Sequence, residues 1–225
     1  MTDAVKINVD FVELGKNQQN PDELSPREQL LGPAYAEYRR IWVEYPNRHF
    51  VGEFPIHLDL EITSACDLKC IMCPRTIQIE EGTFRTVKHM DWAFFTKCVD
   101  EGARYGLKSV KFNYLGEPLL HPRVAEMVRY CRDKGIVDVM FNTNATTLTE
   151  KKSRALIEAG LTKIIFSVDS LDKERFERIR AESDFDTIMR NIKRFCEIRE
   201  EMGSVTPITR ANMTVMKENR HELPA

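Results

Sequence analysis

Cys66, Cys70 and Cys73 stand in the segment Thr63-Ser64-Ala65-Cys66-Asp67-Leu68-Lys69-Cys70-Ile71-Met72-Cys73-Pro74, with the spacing C-x3-C-x2-C. Three thiolates so close in the chain can converge on one centre, and both Zn²⁺ and iron–sulfur clusters take such ligands. Zinc would need a fourth donor, which His57, His89 or His121 could offer. A four-iron cluster held by three cysteines would instead keep one iron open to bind and activate another molecule. A polar loop and tight spacing argue against three merely buried thiols. The other cysteines read differently. Cys98 and Cys131 fall on apolar helical faces, and Cys196 adjoins Phe195 and Ile192, so core packing is expected for all three.

The elements that must carry this loop alternate. His57–Thr63, Lys108–Leu115, Val137–Thr143, Lys163–Asp169 and Arg210–Met216 read as strands. Helical patterns lie between them: Phe95, Cys98, Val99 and Gly102; Val124, Met127, Val128 and Cys131; Glu150–Ala159; and Ile188, Ile192 and Phe195. Strands alternating with helices predict βαβ units and a parallel sheet. Each strand also alternates within itself, as Val110, Phe112 and Tyr114 do against Lys111 and Asn113. A parallel sheet covered on both faces reads as continuous apolar runs. One polar face in five successive strands predicts a wide or partly open α/β barrel whose lumen holds a polar ligand. Asp59, Glu61, Lys111 and Arg210 would line that lumen.

Ahead of the strands, residues 1–24 are polar and without period, which predicts a loose arm. Ser25-Pro26 reads as an N-cap followed by proline at the first helical position. A second helical stretch is expected from about Ala34 to Glu44. The chain thus divides into an N-terminal arm and helix (1–50) and a core domain (51–225). With 33 basic and 35 acidic residues in 225, the charge balance gives no reason to expect nucleic-acid binding. Apolar runs such as Ile164–Phe166 fall far short of the roughly 18–20 residues of a membrane span, so no membrane partner is expected. The first ten residues lack an apolar signal region, and a cytoplasmic location is the default expectation.

The cysteine motif after a first strand resembles the radical S-adenosylmethionine (radical SAM) superfamily. The resemblance extends from about Pro55 to the C-terminus. Tyr114-Leu115-Gly116-Glu117-Pro118 is similar to the family's Gly-Gly-Glu-Pro element, with Leu115 in place of the first glycine. Phe141-Asn142-Thr143-Asn144 and Phe166-Ser167-Val168-Asp169-Ser170 end the third and fourth strands as in family members. Arg180 resembles an arginine that pairs with the SAM carboxylate.

The resemblance implies a [4Fe–4S] cluster on Cys66, Cys70 and Cys73, and SAM as second cofactor. Gly116, Glu117 and Pro118 would hold the methionine amino end, with the Glu117 and Arg180 charges orienting SAM. Asn142, Ser167 and Asp169 would reach the ribose or methionine end, and Met72 and Met213 would lie against adenine. Replacing Glu117 is then expected to weaken SAM binding with little change in stability. One-electron cleavage of SAM would give a 5′-deoxyadenosyl radical that takes hydrogen from a polar peptide, small molecule or sugar. An electron donor such as flavodoxin or ferredoxin is implied. The Leu115–Pro122 segment resembles the subgroup that carries SPASM or twitch regions. The family barrel has six βα units and about five are expected here, so the fold class is α/β, a partial (β/α) barrel with an N-terminal helical arm. Two other readings are an inactive radical SAM-like fragment and a zinc-stabilised binding module.

Overall fold

The computed structural model describes Leu24 and residues 26–222 apart from Arg85. In chain order the helices and strands are α1 (Pro26–Gln29), α2 (Pro33–Asn47), β1 (His57–Asp59), α3 (Pro74–Glu80), α4 (Trp92–Arg104) and β2 (Ser109–Lys111). There follow α5 (Val124–Asp133), β3 (Asp138–Thr143), α6 (Glu150–Glu158), β4 (Lys163–Ser167), α7 (Lys173–Ile179), α8 (Phe185–Glu201) and β5 (Ile208–Asn212). Short 3₁₀ turns occupy Pro118–Leu120 and Arg220–Glu222. The expected arm and the proposed Ser25 cap lie outside the described residues, Leu24 excepted.

The five strands form one parallel sheet in the order β1-β2-β3-β4-β5, so β1 and β5 are its edges. This is the expected partial α/β barrel. The register fixes two faces. Leu58, Val110 and Val139 align across the first three strands, and Phe141, Ile164 and Thr209 across the last three. That face is covered by helices. Val110, Phe112, Val139, Phe141, Ile164 and Phe166 pack in one core with Phe95 and Val99 of α4, Met127 and Val128 of α5, and Phe195 of α8. The opposite face aligns Asp59, Lys111, Met140 and Lys163, then Asn142, Ile165 and Arg210, then Ser167 and Asn212. It lines the lumen, as the alternation predicts.

Helix starts follow their caps. Asp91, Thr149, Asp172 and Asp184 each accept a backbone N–H from the first turn of α4, α6, α7 and α8. Cys73 sits at the N-cap of α3, with Pro74 fixing the first helical dihedral. Strands are shorter than expected because side chains take over the ladder at the rim. The fifth strand starts two residues earlier, at Ile208, which pairs with Lys163. Beyond Asn212 it is replaced by side-chain bonds: Thr214 N donates to Asp169 Oδ1 (2.7 Å), and Asn219 Nδ2 to Thr214 O (2.9 Å). The expected boundary near residue 50 separates elements that pack together. Tyr35 and Tyr38 of α2 are fully buried, and Trp42 meets the His57 ring edge-on at 5.2 Å.

Candidate metal and cofactor site

The cysteine loop leaves β1 at the C-terminal end of the sheet and is fastened on three sides. Gly116 and Glu117 press on its start: Glu117 N donates to Ala65 O (2.7 Å). A Cβ on Gly116 would stand 1.9 Å from Thr63 O, so only glycine allows the approach. The end of β3 holds Asp67, which accepts from Asn144 Nδ2 (2.8 Å) and the Thr146 hydroxyl. The end of α7 holds the far part: Lys69 N donates to Ala181 O and Ile71 N to Ile179 O, each at 3.0 Å. Cys66, Cys70 and Cys73 are all free thiols and partly exposed on this loop. Burial pushes Cys66 up to about 11 and raises Cys70, against which the nearby Arg180 charge acts.

Among the described residues, no three His, Cys, Asp or Glu side chains gather about one point as ligands of a single ion. His57 lies at the opposite end of the sheet, bonded to Ser109 Oγ (2.9 Å). It is not placed to be a fourth zinc ligand with the cysteines. A four-iron cluster makes a different demand, because each thiolate takes a separate iron.

Arg180 closes the site from α7. Its Nη1 lies 3.9 Å from Cys70 Sγ, and its Nη2 is 2.7 Å from Asp169 Oδ2. Its Nε is buried without a hydrogen-bond partner, which leaves a cationic donor beside the cysteine loop for a bound anion. Three soft thiol donors, a backbone cradle at Gly116 and this orphaned donor together fit an iron–sulfur cluster with SAM beside it.

Several predicted site residues are placed otherwise. Glu117 is 4 % exposed, and its carboxylate takes three internal donors: Leu119 N (3.0 Å), Thr143 Oγ1 (2.7 Å) and Asn144 N (2.8 Å). The expectation that its replacement leaves stability untouched is corrected: this side chain ties its own segment to the end of β3. Asp169 is fully buried and its two oxygens meet Thr214 N and Arg180, so it orders the rim from within. Of the four charges expected to line the lumen, Glu61 accepts Leu115 N (2.8 Å) and Gly116 N (3.1 Å), and Arg210 pairs with Glu28 (3.1 Å). Asn142 and Ser167 remain half-buried on the lumen face, while Met72, in the cysteine loop, and Met213, just past β5, are half-buried. Asp67 and Asn144 belong to the site's frame and were not singled out. The position of Asp67 inside the cysteine motif is the signal that could have marked it.

Burial pushes Glu117 up to about 7 from an ordinary 4.5, outweighing its three hydrogen bonds. A folded-state value above the unfolded one means the folded chain binds more protons between them. This contribution to stability is fully present below about 4.5 and is lost as pH rises through about 7. At about 1.4 kcal/mol per unit the loss is a few kcal/mol. Glu117→Gln carries the uncharged isostere, so its urea midpoint should hold nearly steady from pH 4.5 to 7.5 while the wild-type midpoint falls away from it as pH rises. Parallel curves would show that Glu117 does not titrate in this window.

Residues 60–225 match the Radical SAM superfamily. The chain is 34 % identical over 170 residues to the tungsten-containing aldehyde ferredoxin oxidoreductase cofactor-modifying protein of Pyrococcus furiosus, covering 75 % of this chain and 46 % of that one. It is 30 % identical over 166 residues to a probable GTP 3′,8-cyclase of Methanococcus maripaludis, covering 74 % and 52 %. The chain therefore spans about half the length of these curated relatives. Its fold is like that of Streptococcus suis SuiB bound to S-adenosylmethionine, with TM-score 0.60, 20 % identity, and coverage of 84 % of this chain and 41 % of that one.

Proposed function

This chain belongs to the radical SAM superfamily, and from that premise we propose that it is an enzyme drawing hydrogen from a polar substrate, a small molecule or a peptide. Its cofactors are a [4Fe–4S] cluster and SAM. When bound and reduced, they supply the cleavage of SAM that starts hydrogen abstraction. The observation that carries the reading is the cysteine loop, tied on three sides at the C-terminal ends of the parallel strands, with the buried Arg180 Nε beside it.

In this reading Cys66, Cys70 and Cys73 hold the cluster. The Gly116–Pro118 backbone lines the methionine end, with the Glu117 side chain acting as its internal brace. Arg180 takes the SAM carboxylate through a charge-assisted hydrogen bond. Asn142 and Ser167 bond the ribose or methionine end from the lumen face, and Met72 and Met213 pack on adenine. Helices on the sheet's outer face keep water from the strands that carry these groups. The reductant is a small electron carrier, a flavodoxin or ferredoxin. Assignment to the SPASM or twitch subgroup is part of the same proposal and is supported by the Leu115–Pro122 segment. The polar lumen supports a polar substrate. Among the described residues no helix is long and apolar enough to cross a membrane.

Anaerobic reconstitution with iron and sulfide tests this. A brown protein that converts SAM to methionine and 5′-deoxyadenosine on reduction is the expected result. A colourless, zinc-loaded protein, or an iron-loaded one that leaves SAM intact, overturns it.

A further inference from the structure

The superfamily match begins at residue 60, yet residues well before it reach into the lumen. Glu28 of α1 is 6 % exposed. Its Oε1 accepts from Tyr35 OH (3.2 Å) and lies 3.3 Å from Lys163 Nζ of β4 and 3.1 Å from Arg210 Nη2 of β5. Lys163 also stands 3.6 Å from Asp138 Oδ2 of β3 and over the Tyr35 ring at 4.9 Å. The cluster balances two carboxylates against two cations. With the Trp42–His57 contact, the helix pair touches both edge strands of the sheet. These contacts come at the N-terminal ends of β1, β3 and β4, opposite the cysteine loop.

We propose that α1 and α2 form the floor of the lumen, with Glu28 as the hub that joins this floor to β4 and β5 and keeps water from the deep end. The radical SAM reading enters only in what the lumen is for. β5 is an edge strand whose ladder bonds all go to β4; on its helix-covered face Arg199 donates to Thr209 Oγ1 (3.3 Å), and on its lumen face Arg210–Glu28 adds an attachment. Removing Glu28 leaves the buried Lys163 and the half-buried Arg210 each short of a partner, which loosens the strands that carry them. Met140, which is aligned with Lys163 on the lumen face and partly exposed, then meets more water.

The test uses the full chain with Glu28→Gln and Glu28→Ala. Hydrogen exchange should quicken about tenfold or more at residues 163–167 and 208–212, with residues 109–111 unchanged. Peroxide should convert Met140 to its sulfoxide several times faster. Iron content after reconstitution should stay at the wild-type amount, since the cysteine loop is at the far end. Unchanged rates, or a uniform rise across the whole sheet, overturn the proposal. If Glu28→Ala does not fold, the Gln variant decides by the same two readouts. Neither readout needs a cluster, so local acceleration in a protein that binds no iron would keep the floor and remove the radical SAM reading.

Discussion

A Cys70→Ala protein is expected to hold almost no iron after anaerobic reconstitution, and Cys66→Ala and Cys73→Ala the same. Cys98→Ala, Cys131→Ala and Cys196→Ala are expected to hold the wild-type amount. The three loop cysteines share one short segment whose path is fixed by Ala65, Asp67, Lys69 and Ile71 through contacts to three rim segments. No neighbouring thiol can replace a lost one. Cys131 is fully buried on the core side of α5, where burial pushes its thiol up to about 12. Cys98 and Cys196 lie on α4 and α8, which cover the outer face of the sheet. A thiolate is what binds iron, and an apolar site opposes it. Cys70 carries the sharpest expectation, since its sulfur is the one within 3.9 Å of Arg180. Iron and sulfide analysis checks the result directly. Full iron content in Cys70→Ala would remove the assignment.

The sequence made legible what depends on local pattern. Alternation within each strand identified the lumen face, and the register bears this out from Leu58 to Ala211. The periodic helices α4, α5, α6 and α8 were visible for the same reason. The seven-residue helices α3 and α7 were not, because two turns give too little period to read. The cysteine motif was legible as ligand chemistry because residue type and spacing carry it.

The carboxylates were the harder part. Glu61, Glu117 and Asp169 sit at strand ends, where an acid facing a ligand and an acid bracing a loop look alike. Their donors lie far along the chain: Leu115 for Glu61, Asn144 for Glu117 and Thr214 for Asp169. Only closure of the rim brings them together. The floor of the lumen is the extreme case: strand alternation placed Arg210 in the lumen, but its partner Glu28 lies 182 positions away with nothing local to mark it. Charge in the sequence marked where the lumen would be polar. It could not say which charges the protein would already have paired.

Gly116→Ala is expected to destabilise the fold by about 3 kcal/mol, through overpacking and lost rim hydrogen bonds together, and to lower iron loading with it. The reason is space and not backbone conformation. Gly116 has no positive φ. The added Cβ would lie 1.9 Å from Thr63 O, 2.8 Å from its carbonyl carbon and 3.0 Å from Ala65 O. These are backbone atoms, so no side chain can turn aside. Either the Gly116 segment or the segment entering the cysteine loop must move. The move breaks Glu117 N to Ala65 O and the pair of amides held by Glu61. Cys66 follows directly on Ala65, so the displacement reaches the first thiol. Gly135 supplies the control. It has φ 84° and nothing within 4 Å of an added Cβ, so alanine there costs only left-handed strain, about 1–2 kcal/mol. A prediction from φ alone ranks Gly135→Ala as the worse substitution, whereas the packing ranks Gly116→Ala worse and confines the loss of iron to it. Urea unfolding and iron analysis of the two variants side by side decide the order, and a Gly116→Ala protein as stable and as iron-rich as Gly135→Ala would show that the cysteine loop does not depend on this approach.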